Sequence, residues 1–370
     1  MKRQLKRTTS LGLLLLAMAA AFCFLCQSAL AAPTDTGAGT AITNQATINY
    51  QVGGISQTPV LSDNDNNPAN GVNPTTFVVD QKVRVVVTAG ANATVTPGAV
   101  GYLTFSVLND GNSAAPGLAI RLAPQAGANG TEDQFDMTGV AVYYDDNGNG
   151  TYDGTEPGGA NYVLTLPRDT AATIFVVATT PLSTADSQTA LYHLIATAWN
   201  TGAGAPLVED SDGDDPALSE VVFADAAGTV PAPAGPDVAF DGRHSASRLF
   251  TAAAATLSVQ KNSSVISDPF GSTYRVPGAR VRYSVGLANS SAATAANTVV
   301  LTDAIPTNTH FVVGSVAGGT LSEYSNDNGA TWTYVPSGSP TDPAVTNLRV
   351  TVGNIAAGGN AQVTFDVMIQ

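Results

Sequence analysis

Cysteine is nearly missing from this chain of 370 residues. Its two cysteines, Cys23 and Cys26, both lie in one apolar run near the start. A lipid-modified Cys needs a small residue just before it, and Phe22 and Leu25 stand there instead. Beyond that run no disulfide framework is available, so each domain must be held by its own hydrophobic core. Charge is also sparse, at 12% of residues, and bases are the scarcer sign, with 15 Lys and Arg against 29 Asp and Glu. Four of the bases, Lys2, Arg3, Lys6 and Arg7, precede the apolar run, so the rest of the chain keeps 11 against 29, a formal charge of −18. Nucleic acid and anionic lipid are poor partners for such a surface. The three histidines, His193, His244 and His310, are scattered and form no His-x-x-x-His pair. No Gly-x-Ser-x-Gly elbow occurs either, so nucleophilic hydrolysis has no visible support. No long stretch at helical period follows the apolar run.

That run extends from Leu11 to Leu25, after a basic start and before the small-residue site Ala29-Leu30-Ala31. The pattern is that of a secretory signal over residues 1–31. A transmembrane anchor is the rival, but spanning needs ~20 apolar residues and this run is shorter. The expectation is an exported protein, at the cell surface, outside the cell or in a periplasm, with no membrane span once the signal is removed. About 340 residues then remain, which suits two or three domains.

What the sequence does have is β pattern, and one phrase of it occurs twice. In Pro277–Asn289, Val281, Tyr283, Val285 and Leu287 share one face, with Arg280, Arg282 and Ser284 on the other. In Pro97–Asn109 the apolar face is Leu103, Phe105 and Val107, aligned without a gap. Each is a half-buried strand entered through a Pro-Gly turn, and the repetition implies two related β-domains in tandem. The fold class is therefore all-β, tandem immunoglobulin-like sandwiches after a cleaved signal. Residues 32–39 read as a tether and residues 40–223 as the first sandwich. Its strands are expected over 40–52, 76–88, 103–107, 118–122, 139–144, 162–166, 173–178, 192–199 and 221–223. The Ala/Pro/Gly-rich residues 224–256 read as the linker, with Ala224–Gly242 its protease-sensitive joint and Ser245–Thr256 either one or two helical turns or simply linker. Residues 257–370 read as the second sandwich, with strands over 257–260, 280–288, 298–302, 310–316, 331–335, 348–352 and 361–369.

The second domain carries Val259-Gln-Lys261, Pro277-Gly278, Tyr283-Ser284-Val285, Asn289, Ala296-Asn297, Thr302-Asp303-Ala-Ile305-Pro306, Thr309, Gly314-Ser315, Gly353-Asn-Ile355 and Gly358. On these residues it resembles the bacterial conserved surface-repeat domain, domain of unknown function 11. It departs where that family has a Gly after the strand, since Asn289 is followed by Ser290 and Ser291. The first domain keeps the Gly, as Gly111, and lacks the Thr-Asp-x-Ile-Pro element. The resemblance implies a β-sandwich, usually in tandem, on secreted or cell-surface proteins with no established activity.

The one spacing with a sharp chemical meaning is Asp145–Glu156. Asp145, Asn147, Asn149, Asp153 and Glu156 occupy positions 1, 3, 5, 9 and 12 of a calcium-binding loop. Gly150 sits where such a loop turns sharply, and Thr151 offers its carbonyl. Strand-like residues before it and Pro157-Gly158 after it exclude EF-hand helices. The loop resembles those on β-scaffolds such as the B repeats of staphylococcal serine-aspartate adhesins. The bland alternative is a solvated Asn/Gly hairpin tip. Two acidic runs, Asp63, Asp65 and Asn67, and Asp210, Asp212 and Asp214, read as solvated turns, because neither has a bidentate Glu at the right distance. Lys261 and Asp303 suggest an ion pair or, less commonly, an amide cross-link. Trp199 and Trp332 are candidates to stack on sugar or to pack in a core.

The function expected from these residues is an exported, non-catalytic structural or adhesive module, stabilised by Ca2+ and meeting other cell-surface or matrix components. The rival class is a carbohydrate-binding or hydrolytic accessory.

Overall fold

The computed structural model describes residues 35–64, 72–128, 130–230 and 236–370; the signal segment 1–31, both cysteines, Asp65 and Asn67 lie outside them. The chain divides into two units, residues 1–81 with 214–219, and residues 82–213 with 220–370. In the first unit, Ala41–Asn44 pairs with Thr75–Val78, Thr47–Ile48 with Val60–Leu61, and Gln51–Val52 with Ile55–Ser56. These ladders nest into a single hairpin whose tip is Gly53-Gly54, where both φ values are positive, +59° and +80°. Ile48, Tyr50, Val52 and Ile55 are exposed along it, and none of its described residues is a buried hydrophobic. The expected domain 40–223 is thus corrected. Residues 40–52 alternate like a sandwich strand, but here the alternation serves an open hairpin.

The second unit contains two β-sandwiches. The strands of the first are β1 (Val85–Ala89), β2 (Ala93–Val95), β3 (Val100–Asn109), β4 (Leu118–Ala126), β5 (Thr138–Tyr144), β6 (Tyr162–Leu166), β7 (Thr170–Thr179), β8 (Thr189–Asn200) and β9 (Arg243–Ala252). One sheet runs Gly158–Gly159, β5, β7, β3, β1, and the facing sheet runs β6, β4, β8, β9, β2. Leu103, Phe105 and Val107 of β3 and Ile174 and Val176 of β7 enter the core from one side. Ile120, Leu122, Leu194 and Phe250 meet them from the other. The apolar face expected for the repeated strand is the face that is buried.

The second sandwich has β10 (Leu257–Ser267), β11 (Arg280–Asn289), β12 (Ala296–Ala304), β13 (Thr309–Val312), β14 (Leu321–Ser325), β15 (Asn347–Ile355) and β16 (Asn360–Ile369). Its sheets run β10, β11, β16, β13, Thr341–Asp342 and, opposite, β12, β15, β14. Val281 and Leu287 pack in one core with Phe311, Leu348 and Phe365. The strand expected over 331–335 is instead an irregular segment touching β14 through a single bridge, Tyr324 with Tyr334. Lys261 lies on β10, and its Nζ sits 2.7 Å from Asp303 Oδ2 on β12, joining the two sheets as an ion pair.

The repeat is structural as well as sequential. Asn109 and Asn289, both fully buried, end β3 and β11. Each accepts the N–H two residues on, from Gly111 at 3.2 Å and Ser291 at 3.3 Å. Each also donates its amide to a neighbouring strand end, to Leu166 O at 2.9 Å and to Ile355 O at 3.2 Å.

The expected linker 224–256 is corrected on both sides of Gly242. Residues 243–252 are β9, paired with β8 from Thr189↔Thr251 to Thr197↔Arg243. Residues before it are stapled to the sandwich by side chains. Buried Asp225 accepts the N–H of Gly242 at 2.9 Å, and Ser245 Oγ accepts those of Thr229 and Val230 at 2.9 and 3.0 Å. Residues 231–235 lie outside the described residues; those on either side belong to a crossover anchored by a few polar side chains, and the chain passes from one sandwich to the other through residues 253–256. That joint is bonded at both ends. Ala254 N–H donates to Asp186 Oδ1 at 2.9 Å and Thr256 N–H to Asn289 Oδ1 at 3.1 Å. Ser291 Oγ donates to Asp186 Oδ2 at 2.8 Å, so Asp186 of the first sandwich holds a residue of the second.

Candidate functional site

The loop Asp145–Glu156 leaves β5 and returns to Gly158–Gly159, on the sheet that carries β3 and β7. Three of its residues are placed by backbone chemistry. Gly148, Gly150 and Gly154 have φ of +69°, +73° and +86°, so the chain reverses at positions that favour glycine. Tyr152 turns inward and packs on Tyr143 (5.0 Å between ring centroids), Tyr102 (6.0 Å) and Phe175 (6.1 Å), which pins the loop to the sheet. Burial is the main cause that raises the Tyr152 phenol above its ordinary pKa, with Tyr143 adding to it.

The two end carboxylates are buried, Asp145 with 6% and Glu156 with 5% of its surface exposed. Asp145 Oδ1 and Oδ2 accept the N–H groups of Asn149 (3.2 Å) and Gly150 (2.9 Å). Glu156 Oε1 and Oε2 accept those of Asp153 and Gly154, both at 2.9 Å. Asn147 and Asn149 point their amide nitrogens at Asp153 Oδ2, at 3.4 and 3.5 Å. Side chains at positions 3, 5 and 9 thus converge on one point. Thr151 is held through its N–H, 2.7 Å from Asn149 Oδ1, with its side chain exposed. Asp146 is exposed and makes none of these hydrogen bonds. Thr155 bonds Asp153 Oδ1 through both its hydroxyl and its N–H, and these bonds hold the Asp153 carboxyl below the usual range. Among the described residues no Lys, Arg or His pairs with Asp145, Asp153 or Glu156.

The other candidates separate. Asp63 Oδ1 caps Asn73 N–H at 3.0 Å, an ordinary turn. Asp210 and Asp212 come within 4.8 Å of Glu220, a buried residue that sequence spacing did not select because it lies beyond the acidic run. Each tryptophan carries a guanidinium on its ring, Arg121 over Trp199 at 5.0 Å and Arg349 over Trp332 at 4.7 Å. One face of each ring is therefore occupied by the chain itself.

His193 is the polar residue the sequence left unexplained. It lies on β8, 2% exposed, with Nδ1 3.0 Å from Thr229 Oγ1 and Nε2 without a hydrogen-bond partner. Burial lowers its pKa, and the Asp133 charge opposes that only in part. A lowered histidine pKa means that the unfolded chain takes up the proton first as pH falls. Stability should therefore decline as pH drops below about 6.5, by up to about 1.4 kcal/mol per pH unit until the folded histidine titrates. Denaturant melts from pH 7 to 5 should show this slope, and His193→Gln should lack it. A wild-type stability that stays flat over this range would contradict the assignment.

No family model matches the chain, and no curated protein matches it. Several solved structures are similar at low identity. The C-terminal domain of the AgI/II polypeptide BspA from Streptococcus agalactiae is 10% identical, covering 78% of this chain and 91% of that one, with a TM-score of 0.31. Collagen adhesin from S. aureus is 13% identical over 79% and 84%, with a TM-score of 0.17. AvmM, which catalyses macrocyclization in alchivemycin A biosynthesis, is 14% identical over 48% and 92%, with a TM-score of 0.23. Likenesses at this level carry no argument about activity or partner. The assignment of tandem sandwiches rests on the strand order and registers above.

Proposed function

We propose that this chain is an exported, non-catalytic structural or adhesive module whose first sandwich is stabilised by calcium bound at Asp145–Glu156. The observation that carries the calcium reading is the pair of buried carboxylates, Asp145 and Glu156, with no cationic side chain to balance them. Buried charges are paired or coordinate metals. Three carboxylates and two amides in this order suit a hard cation with oxygen ligands. On binding, the Asn147 and Asn149 amides would present oxygen in place of nitrogen to the point they already face. The module reading is supported by two sandwiches hydrogen-bonded at their joint, by a charge of −18 after the leader, and by the absence of any sequence signal for a nucleophile. The same reading takes residues 257–370 as a surface-repeat domain, on the residues quoted for it.

Calorimetric titration should give one calcium per chain with a Kd of about 10⁻⁴–10⁻³ M, in the range of extracellular modules. Glu156→Gln removes one of the bidentate oxygens' charges and should weaken binding at least tenfold, while exposed Asp146→Asn should change little. No binding at millimolar calcium would remove the metal from this account. Recovery of the protein from the cytoplasm in cell fractionation would remove export.

A further inference from the structure

The outer face of the sheet β6-β4-β8-β9 carries a feature that the calcium loop, on the other sheet, does not use. Arg121 on β4 is directly opposite Thr197 on β8, which is directly opposite Arg243 on β9. Neighbouring strands lie about 4.8 Å apart, so the two arginine Cα atoms stand about 10 Å apart with a hydroxyl between them. A groove runs over this row, floored by Ala123 and Ile195 and closed at one end by Trp199. In a chain of −18, a site centred on two arginines is against the general trend.

The two arginines differ. Arg243 is neutralised by Asp241, 3.2 Å away. Arg121 is held in place without being neutralised. Its guanidinium lies over the Trp199 ring at 5.0 Å and donates through Nη2 to Asn161 Oδ1 at 2.7 Å, both uncharged partners. Among the described residues no carboxylate pairs with it. A guanidinium fixed by stacking and by one hydrogen bond keeps other N–H groups free, and its planar fork matches a carboxylate. Ala123, Ile195 and Pro206 give the groove an apolar part and Thr197 a hydroxyl, while the Asp241 carboxylate at its side is taken up by Arg243, which suits a sugar ring with one C–H face and a polar rim.

We infer that this groove binds a carboxylated sugar at the end of an otherwise neutral glycan, with the carboxylate on Arg121 and a ring hydroxyl on Thr197. The carboxylate that lines the groove, Asp241, is paired with Arg243, so a single acid group on Arg121 suffers little repulsion, whereas a polyanion would be excluded by the charge of the chain as a whole. This gives the adhesive reading a ligand class, but it stands on residues that the calcium site does not share. Its failure would leave that site untouched.

The probes are sialyllactose and lactose, titrated into the full chain with calcium present. Sialyllactose should bind at least tenfold more tightly than lactose. Arg121→Gln should abolish that difference, and Arg121→Lys should lose most of it, because a point charge cannot make the bidentate contact. Thr197→Val should weaken sialyllactose several-fold. Each variant's melting temperature identifies any that fail to fold, and Thr197→Val, buried no deeper than its neighbours, keeps the question open to test if Arg121 variants do. Equal binding of the two sugars, binding of neither, or discrimination that survives Arg121→Gln would overturn the inference. So would equal competition by an Asp-rich peptide, which would make the ligand a protein carboxylate.

Discussion

Asp366→Asn should destabilise the second sandwich by about 3 kcal/mol and lower its melting temperature by about 10–20 °C. Asp366 lies on the outer face of β16, yet its side chain is wholly buried beneath two arginines. Arg282 makes a two-pronged contact, Nε to Oδ1 at 2.7 Å and Nη2 to Oδ2 at 3.1 Å. Arg280 Nε reaches Oδ2 at 2.7 Å, and Ser315 Oγ accepts the Asp366 N–H at 3.0 Å. Burial alone would raise this carboxyl, but the arginine hydrogen bonds and charges outweigh it and hold the pKa below the ordinary value. Removing the charge leaves two guanidiniums facing each other. Both are 37–40% exposed, so water recovers part of the loss and the lower end of the range for a broken buried pair applies. The sign with pH follows. A depressed carboxyl stabilises the fold above about pH 3.9 and the contribution fades as pH falls through its folded value. The asparagine variant should therefore show a shallower acid transition. Equal stability of the variant and wild type at pH 7 would show the triad to be incidental.

Gly111→Ser should cost about 3 kcal/mol, while Ser291→Gly, at the matching place in the other sandwich, should cost about 1 kcal/mol. A Cβ on Gly111 would stand 2.2 Å from Lys82 O and 3.2 Å from Arg84 N, both backbone, so the chain entering β1 would have to move. At Ser291 the side chain is accommodated and used. Its Oγ donates to Asp186 and accepts the N–H of Thr294 at 2.9 Å. Chemical denaturation of the two variants measures the contrast, and a harmless Gly111→Ser would show that the first strand end accommodates a side chain as the second does. Ser291 thus supplies a hydroxyl to the joint between the sandwiches, where the first sandwich has Gly111.

Much of this was legible in the sequence, for reasons that differ by element. β3 and β11 were, because alternation with period two survives wherever one face is buried and the other solvated. That Asp145–Glu156 forms a loop was, because Asn and Gly punctuation is local. β9 was not, since Arg243–Ala252 has Phe250 as its one large buried side chain and otherwise presents Ala and Ser, which suit a strand, a helix or a linker alike. The hairpin of residues 41–78 was misplaced because its alternation resembles that of a core strand, although its apolar residues are exposed. Long-range placements were beyond reach altogether. Nothing in the spacing of Arg121, Thr197 and Arg243 shows that three strands set them in one row, nor that Glu220 meets Asp210 and Asp212.

The central claim is that calcium orders the loop between β5 and Gly158–Gly159. Amide hydrogen exchange, followed residue by residue, tests it at the groups concerned. The N–H groups of Asn149, Gly150, Asp153 and Gly154 already bond to Asp145 and Glu156. At ten times Kd the bound form gains about 1.4 kcal/mol, so their exchange should slow about tenfold on adding calcium. The amides of Val285 and Phe365 in the second sandwich should not change, and Glu156→Gln should remove the effect. Loop amides that exchange at the same rate in millimolar calcium and in chelator would contradict the account and leave Asp145–Glu156 an ordinary hairpin tip.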